Sequence, residues 1–330
     1  MTKFDDPDVA ALRFALDARN QQVAASRRFT AEAITELLTA DVLHQDAAVA
    51  TIAAPLAIAL SGLRLRSRGP AASFVFVGPT GCGKTKLARS LRRLSNCGDR
   101  VVIQLDMGEY TDATSVNRLI GANRGYVGFN DTASLLTTRV AAAPDAVVIL
   151  DEFEKAHETL QRVLLQMFEE GTLTDGRGCV AQFDRAIVVL TTNLGASDLR
   201  HPIGFRPGSA CHAGRSSEID ASVRTALLPE LVGRIDAIVP FSQLDEAART
   251  AIARQMIDDW CTATRATGWD LCVADEIAGW LVRTSDPRYG ARPLRRAIED
   301  RLALGLVGRP RGAWRAALSD AAIRWTDADA

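Results

Sequence analysis

The residues Gly78, Pro79, Thr80, Gly81, Cys82, Gly83, Lys84 and Thr85 read GPTGCGKT. They stand between an apolar run, SFVFVG, and a helical pattern, KTKLARSLRRL. Glycines at this density let successive backbone N–H groups turn inward, and a helix that opens immediately afterwards adds a favourable partial charge. The chemistry this serves is the cradling of phosphate oxygens. In that setting Lys84 reaches the β- and γ-phosphates of a nucleotide, and the Thr85 hydroxyl ligates Mg²⁺. The bland alternative is a chance match to a short pattern. Strand, loop and helix in register argue against it.

A second cluster ends the run AVVILDE. Asp151 at the end of a buried strand can hold Mg²⁺ through its water shell, and Glu152 is placed to polarise a water for attack on the γ-phosphate. A carboxylate pair here could merely cap the next helix, but downstream of a phosphate-binding loop ATP hydrolysis is the better account. Charge that develops on the departing phosphoryl group also needs cations, often delivered by neighbouring subunits. Arg234 in PELVGRID and Arg292 in DPRYGARPLRRAIED are candidates, and Asn193 at the end of VVLTTN could hold the attacking water or the phosphate. Periodicity alone does not select these three, since such arginines are usually solvated or ion-paired.

These side chains need a scaffold. SFVFVG, VVIQLD, AVVILDE and AIVVLTTN have the continuous apolar character of strands buried on both faces, as in a parallel sheet covered by helices. Between them, Leu87, Leu91 and Leu94 share one helical face, and Leu160, Leu164 and Phe168 share another. A three-layer α/β domain follows. Thr174–Gly178, TDGRG, signals a hairpin tip. Residues 1–40 read as helical. After Leu244 the pattern turns mostly helical and ends in two strand-like runs, WRAAL and AIRW, which mark a smaller second domain. The expected division is 1–40 as a helical extension, 41–243 as the ATPase domain and 244–330 as the small domain.

The 330 residues carry a net charge of −1, with 47% hydrophobic and 24% charged residues. This balance gives no global electrostatic reason to expect nucleic acid or an anionic membrane as partner. No apolar run reaches the ~20 residues of a membrane span, and the N-terminus lacks a secretion signal, so a cytoplasmic protein is expected. The six cysteines form no C-x-x-C pair and read as reduced thiols. Cys211 and His212 in one loop fall short of a zinc site.

The stretch GANRGYVGFN sets Tyr126 and Phe129 among Gly121, Gly125 and Gly128. Aromatics usually enter a core, yet a loop this rich in glycine is poorly suited to hold them there. Taken alone, the stretch reads as a turn whose aromatics fold back.

From about Ala40 onward the chain resembles the second ATPase module of Clp-type protein unfoldases and disaggregases, within the AAA+ superfamily. GPTGCGKTKLA, DMGEY, SVNRLIGANRGYVGF, VVILDEFEKAH, LLQMFEEGTLTDGRG, TTNLG, PELVGRID and YGARPLRRAIED carry the resemblance, all in one order. It implies Lys84 and Thr85 as Walker A, and Asp151 and Glu152 as Walker B. Asn193 would be sensor 1, Arg234 the arginine finger reaching an adjacent subunit, and Arg292 sensor 2. Val42 and Leu43 match the adenine-side segment. GYVG occupies the place of the axial pore loop, where Tyr126, with Val127 beside it, would grip a polypeptide in a hexameric ring. The implied cofactors are ATP and Mg²⁺.

Two positions depart from the family pattern. His44 stands where Gly is usual, so a different adenine-side backbone is expected, and Gly233 replaces the Asn before Arg234. The chain holds no first ATPase module, no middle coiled coil and no recruiting domain, so substrate delivery by a separate adaptor is expected. Ile203 and Phe205, in IGF after the Asn193 strand, lie where protease-coupled members dock a peptidase ring. Two alternatives to a threading motor stay open: a remodeller dedicated to one protein complex, and a nucleic-acid-remodelling ATPase of the clamp- or helicase-loader class.

Overall fold

The computed structural model describes residues 29–66, 68–95, 98–121, 135–194, 222–223, 227–319 and 322–328. Residues 1–28 of the helical stretch expected over 1–40, Tyr126, Val127, Phe129, Cys211, His212 and the Ile203–Phe205 loop lie outside them. Two compact units emerge. Among the described residues, the first takes in those up to 77 and from 84 to 240, and the second those from 78 to 83 and from 241 onward.

The first unit opens with α1 (Ala31–Asp41), whose start is fixed by the Thr30 hydroxyl accepting from Ala33 N at 3.2 Å. Ile34 and Leu38, four apart, bury its inner face. Next come α2 (Asp46–Leu60), β1 (Ala72–Val77), α3 (Lys84–Ser90), β2 (Val102–Asp106), α4 (Val116–Ile120) and α5 (Leu136–Ala142). They are followed by β3 (Val147–Asp151), α6 (Glu158–Glu170), β4 (Thr172–Thr174), β5 (Val180–Gln182), β6 (Ile187–Thr192), α7 (Pro229–Val232) and β7 (Ala237–Pro240). Five strands form one sheet in the order β2-β3-β6-β1-β7, every neighbouring pair parallel.

The burial of this sheet follows from its composition. Every residue of β1 and β6 is buried, as is every residue of β3 except Asp151. Apolar runs with no polar face must be covered on both sides. Leu87, Leu91 and Leu94 are all buried as their spacing predicts, although α3 ends at Ser90 and a 3₁₀ turn carries Leu91. On α6, Leu160, Leu164 and Phe168 are buried together with Met167. β7 is a strand that hydrophobic pattern does not single out. It is four residues long, pairs only with β1 among the described residues, and ends in proline, which an edge position tolerates.

The TDGRG segment is the tip of the antiparallel β4–β5 hairpin. Asp175 organises it: its Oδ1 accepts from the backbone N–H of Arg177 and of Cys179, both at 2.9 Å. Its Oδ2 accepts from the Thr137 hydroxyl of α5 at 3.3 Å.

The second unit contains α8 (Glu246–Arg265), β8 (Asp270–Val273), α9 (Glu276–Arg283), α10 (Arg292–Ile298), β9 (Ala313–Ser319) and β10 (Ala322–Asp327). WRAAL and AIRW fall on β9 and β10, which pair antiparallel, while β8 pairs parallel with β9. Ile257, Leu281, Leu294 and Leu302 form the core with Trp314 and Trp325. Trp325 donates its indole N–H to Leu302 O at 3.2 Å and meets Trp260 edge-on. Arg249 is buried, and its guanidinium donates to the carbonyls of Val282 (3.4 Å), Ser285 (3.3 Å) and Gly290 (3.2 Å). It thereby fastens the turn that leads into α10.

Asp175→Ala should cost about 1–3 kcal/mol, because the buried Thr137 hydroxyl and the N–H groups of Arg177 and Cys179 lose their acceptor. Urea unfolding should show a lower midpoint at unchanged slope, with Asp175→Asn closer to the parent because its amide oxygen still accepts.

Candidate active site

In a parallel sheet all carboxyl ends lie along one edge, and ligands of open α/β sheets bind beyond that edge. The register sets which residues arrive there together: Val77 is level with Thr192, and Asp106 with Asp151. The loop 78–83 leaves β1 and leads into Lys84. Its first residue must be glycine. Gly78 has φ 154°, and a Cβ there would stand 2.7 Å from Phe241 O.

Lys84, the first residue of α3, is buried, and its Nζ donates to Asn193 Oδ1 at 3.0 Å. Asn193 follows the last residue of β6, so the Lys84 head group lies at the carboxyl edge. Thr85 Oγ1 stands 3.4 and 3.5 Å from the two oxygens of Asp151. A hydroxyl and a carboxylate are the hard oxygen donors that Mg²⁺ takes, and a buried lysine beside them suits a polyphosphate. The donors present therefore fit a Mg²⁺–nucleotide.

The two acidic residues have different surroundings. Asp151 is held by uncharged groups. Thr191 Oγ1 donates to its Oδ1, and Gln104 Nε2 donates to its Oδ2 at 2.9 Å. Glu152 has a left-handed backbone, φ 56° and ψ 46°, a conformation uncommon for a residue with a side chain. Its N–H donates to Thr191 Oγ1 at 3.1 Å, so one threonine hydroxyl binds both acidic positions. The Glu152 carboxylate pairs with Lys155, and that bond raises the lysine above its ordinary pKa.

Glu154 holds the far side. Its Oε1 accepts from Asn193 N at 3.0 Å, while its Oε2 is buried without a hydrogen-bond partner among the described residues. The strand end that presents Asn193 to Lys84 thus rests on a half-satisfied carboxylate.

The structure joins Lys84, Thr85, Asp151 and Asn193, with Glu152 beside them. Val42 is buried and Leu43 half-buried in the turn between α1 and α2. His44, in the same turn, has φ 60°, in the left-handed region that favours glycine. Arg234 follows α7 and pairs with Glu169 of its own chain at 3.1 Å. Gly233 before it is in an ordinary helical conformation, φ −64° and ψ −13°. Arg292 is exposed at the first position of α10, in the second unit. Gln104, Thr191, Glu154 and Lys155 are additions that motif reading missed. A lone polar residue inside the apolar run VVIQLD was the available signal for Gln104.

Residues 69–238 match the family described as AAA domain (Cdc48 subfamily), and residues 244–307 match the C-terminal, D2-small domain of ClpB protein. The chain is 37% identical over 280 residues to the negative regulator of genetic competence ClpC/MecB of Bacillus subtilis, covering 82% of this chain and 34% of that protein. It is 42% identical over 239 residues to the chaperone protein ClpB of Streptomyces albus G, covering 71% of this chain and 27% of that one. With the probable chaperone protein ClpB 1 of Chlorobaculum tepidum it shares 36% identity over 263 residues, 78% of this chain and 59% of the relative. The chain therefore spans only part of the length of these relatives.

Glu154→Ala should leave the Asn193 N–H without its acceptor and cost about 1–3 kcal/mol. Glu154→Gln keeps that acceptor and removes charge from a buried oxygen, so its stability should match or exceed the parent's. Paired chemical denaturation curves check both.

Proposed function

The chain belongs to the AAA domain (Cdc48 subfamily), followed by a ClpB-type D2-small domain, and is an ATPase; from that premise we propose that it is a protein-remodelling motor that threads polypeptide through the pore of a homo-oligomeric, six-membered ring. The observation that carries the ATPase chemistry is the Lys84–Asn193 contact beside Thr85 and Asp151 at one sheet edge. In this proposal the loop 78–83 and Lys84 bind the nucleotide phosphates. Thr85 and Asp151 hold Mg²⁺, which supplies charge neutralisation on the β- and γ-phosphates when bound. Glu152 polarises the attacking water, and Asn193 orients it or the γ-phosphate. Val42 and Leu43 flank the adenine.

Arg234 completes the site of a neighbouring subunit, and Arg292 acts from the small domain, taken as 244–330 beside an ATPase domain at 41–243. Catalysis then requires Arg234 to exchange Glu169 for a phosphate. Such arginine fingers contribute about 10³–10⁵ in rate in GTPases, so turnover should depend on assembly. Tyr126 and Val127 of GYVG grip the substrate. The broad apolar face of tyrosine tolerates many sequences at low rotamer cost. The names of the relatives, which include chaperones and a competence regulator, support a polypeptide substrate; in this proposal a separate adaptor delivers it. The Ile203–Phe205 loop would dock a peptidase.

Three measurements test this. Glu152→Gln should keep nucleotide binding and lose at least about 10²-fold in turnover, in line with removal of a general base. Tyr126→Ala should retain basal ATP hydrolysis and lose translocation of an unfolded protein; full translocation removes the grip assignment. The assembled protein should hydrolyse ATP faster with unfolded polypeptide and not with DNA. The reverse response favours a nucleic-acid remodeller.

A further inference from the structure

We propose that Gln104 is a positioning residue for the Asp151 carboxylate, and that Arg89 fixes the orientation of its amide; this rests on Asp151 acting as the Mg²⁺-bearing acid. Gln104 lies in β2, between Ile103 and Leu105, whose side chains are buried on the opposite face. Its amide crosses to the neighbouring strand, where Nε2 donates to Asp151 Oδ2 at 2.9 Å. An amide can be turned either way, and here the network decides. Arg89 donates to Gln104 Oε1 from Nε at 3.0 Å and from Nη2 at 2.6 Å. A guanidinium has no acceptor, so the oxygen must face Arg89 and the NH₂ must face Asp151.

Arg89 follows Thr85 by four residues on α3, one helical turn further on the same face. One short helix therefore addresses Asp151 twice: directly through the Thr85 hydroxyl, and through Gln104 by way of Arg89. With Thr191 on Oδ1 and Gln104 on Oδ2, both carboxylate oxygens are pinned and the plane of the group is set. Each oxygen keeps lone pairs for a cation or its water shell.

The chemistry of the relay matters as much as its geometry. An arginine in direct contact with Asp151 would form a charge-assisted pair and compete with Mg²⁺ for the same oxygens. A neutral amide between them leaves Asp151 with its full charge. It orients the acid without neutralising it. Outer-shell partners of this kind typically contribute about 10–100-fold in metal affinity.

The test uses the full chain and a fluorescent ADP analogue titrated with Mg²⁺. Gln104→Leu removes the amide at similar bulk. It should raise the Mg²⁺ concentration for half-maximal tight binding by about 10–100-fold, leaving binding in excess EDTA unchanged. Arg89→Met, at an exposed helix position, frees the amide to turn and should give a smaller shift in the same direction. Arg89→Met also carries the test should Gln104→Leu fail to fold. A Mg²⁺ midpoint equal to the parent's in the folded variants overturns the proposal. Equal weakening with and without Mg²⁺ also overturns it, because it marks a general structural role. Asp151→Asn separates the two levels. If it binds with the parent's Mg²⁺ dependence, Asp151 is not the acid and the parent assignment falls; if it loses that dependence while Gln104→Leu does not, only the relay falls.

Discussion

Parallel pairing of β2, β3, β6 and β1 is the constraint on which the site depends. Asp106 is level with Asp151, and Leu150 with Leu190, so one further step along the chain brings Asp151 beside Thr191. Residues level in adjacent parallel strands point to the same face, and a one-residue slip would turn each to the other. The Thr191 bonds to Asp151 and to the Glu152 N–H are consequences of that register rather than of any local motif. The buried apolar faces of β1, β3 and β6 hold the register, so core packing and site geometry are one problem.

Much of this was legible in the sequence because the signals are local. Four strands of the main sheet stand out as continuous apolar runs, and the helices on either side show leucines at turn spacing. Lys84, Thr85, Asp151 and Glu152 lie in short patterns whose chemistry can be read from residue type. What escaped is non-local. Gln104 meets Asp151 across 47 positions and Thr191 meets it across 40, and no pattern of neighbours announces either contact. β7 escaped for a different reason: four residues ending in proline carry too little periodicity, and it is their pairing with β1 that makes them a strand. At position 44, where a histidine in place of glycine led to the expectation of an altered backbone, the turn has positive φ. Histidine is among the side-chain-bearing residues most often found in that conformation.

The neighbouring acids show how environment separates two similar groups. Asp151 has hydroxyl and amide partners, which orient it and leave its charge available. Glu152 has the ammonium of Lys155, which answers its charge directly. In the arrangement described, the residue proposed as metal-bearing is poised, whereas the residue proposed as base must exchange a lysine for a water. Its left-handed backbone, tied through its N–H to Thr191, fixes where that exchange occurs.

The pairing of Arg234 with Glu169 has a similar logic at the surface. Both side chains are about half exposed, 48% and 38%. Ion pairs of that kind contribute only about 0–1 kcal/mol. Such a bond is too weak to hold the arginine against a phosphate, yet sufficient to keep a long, flexible side chain from sampling every rotamer. In the role proposed for Arg234, Glu169 would work as a holster: it would keep the guanidinium close at hand and surrender it at almost no energetic cost to a stronger anion.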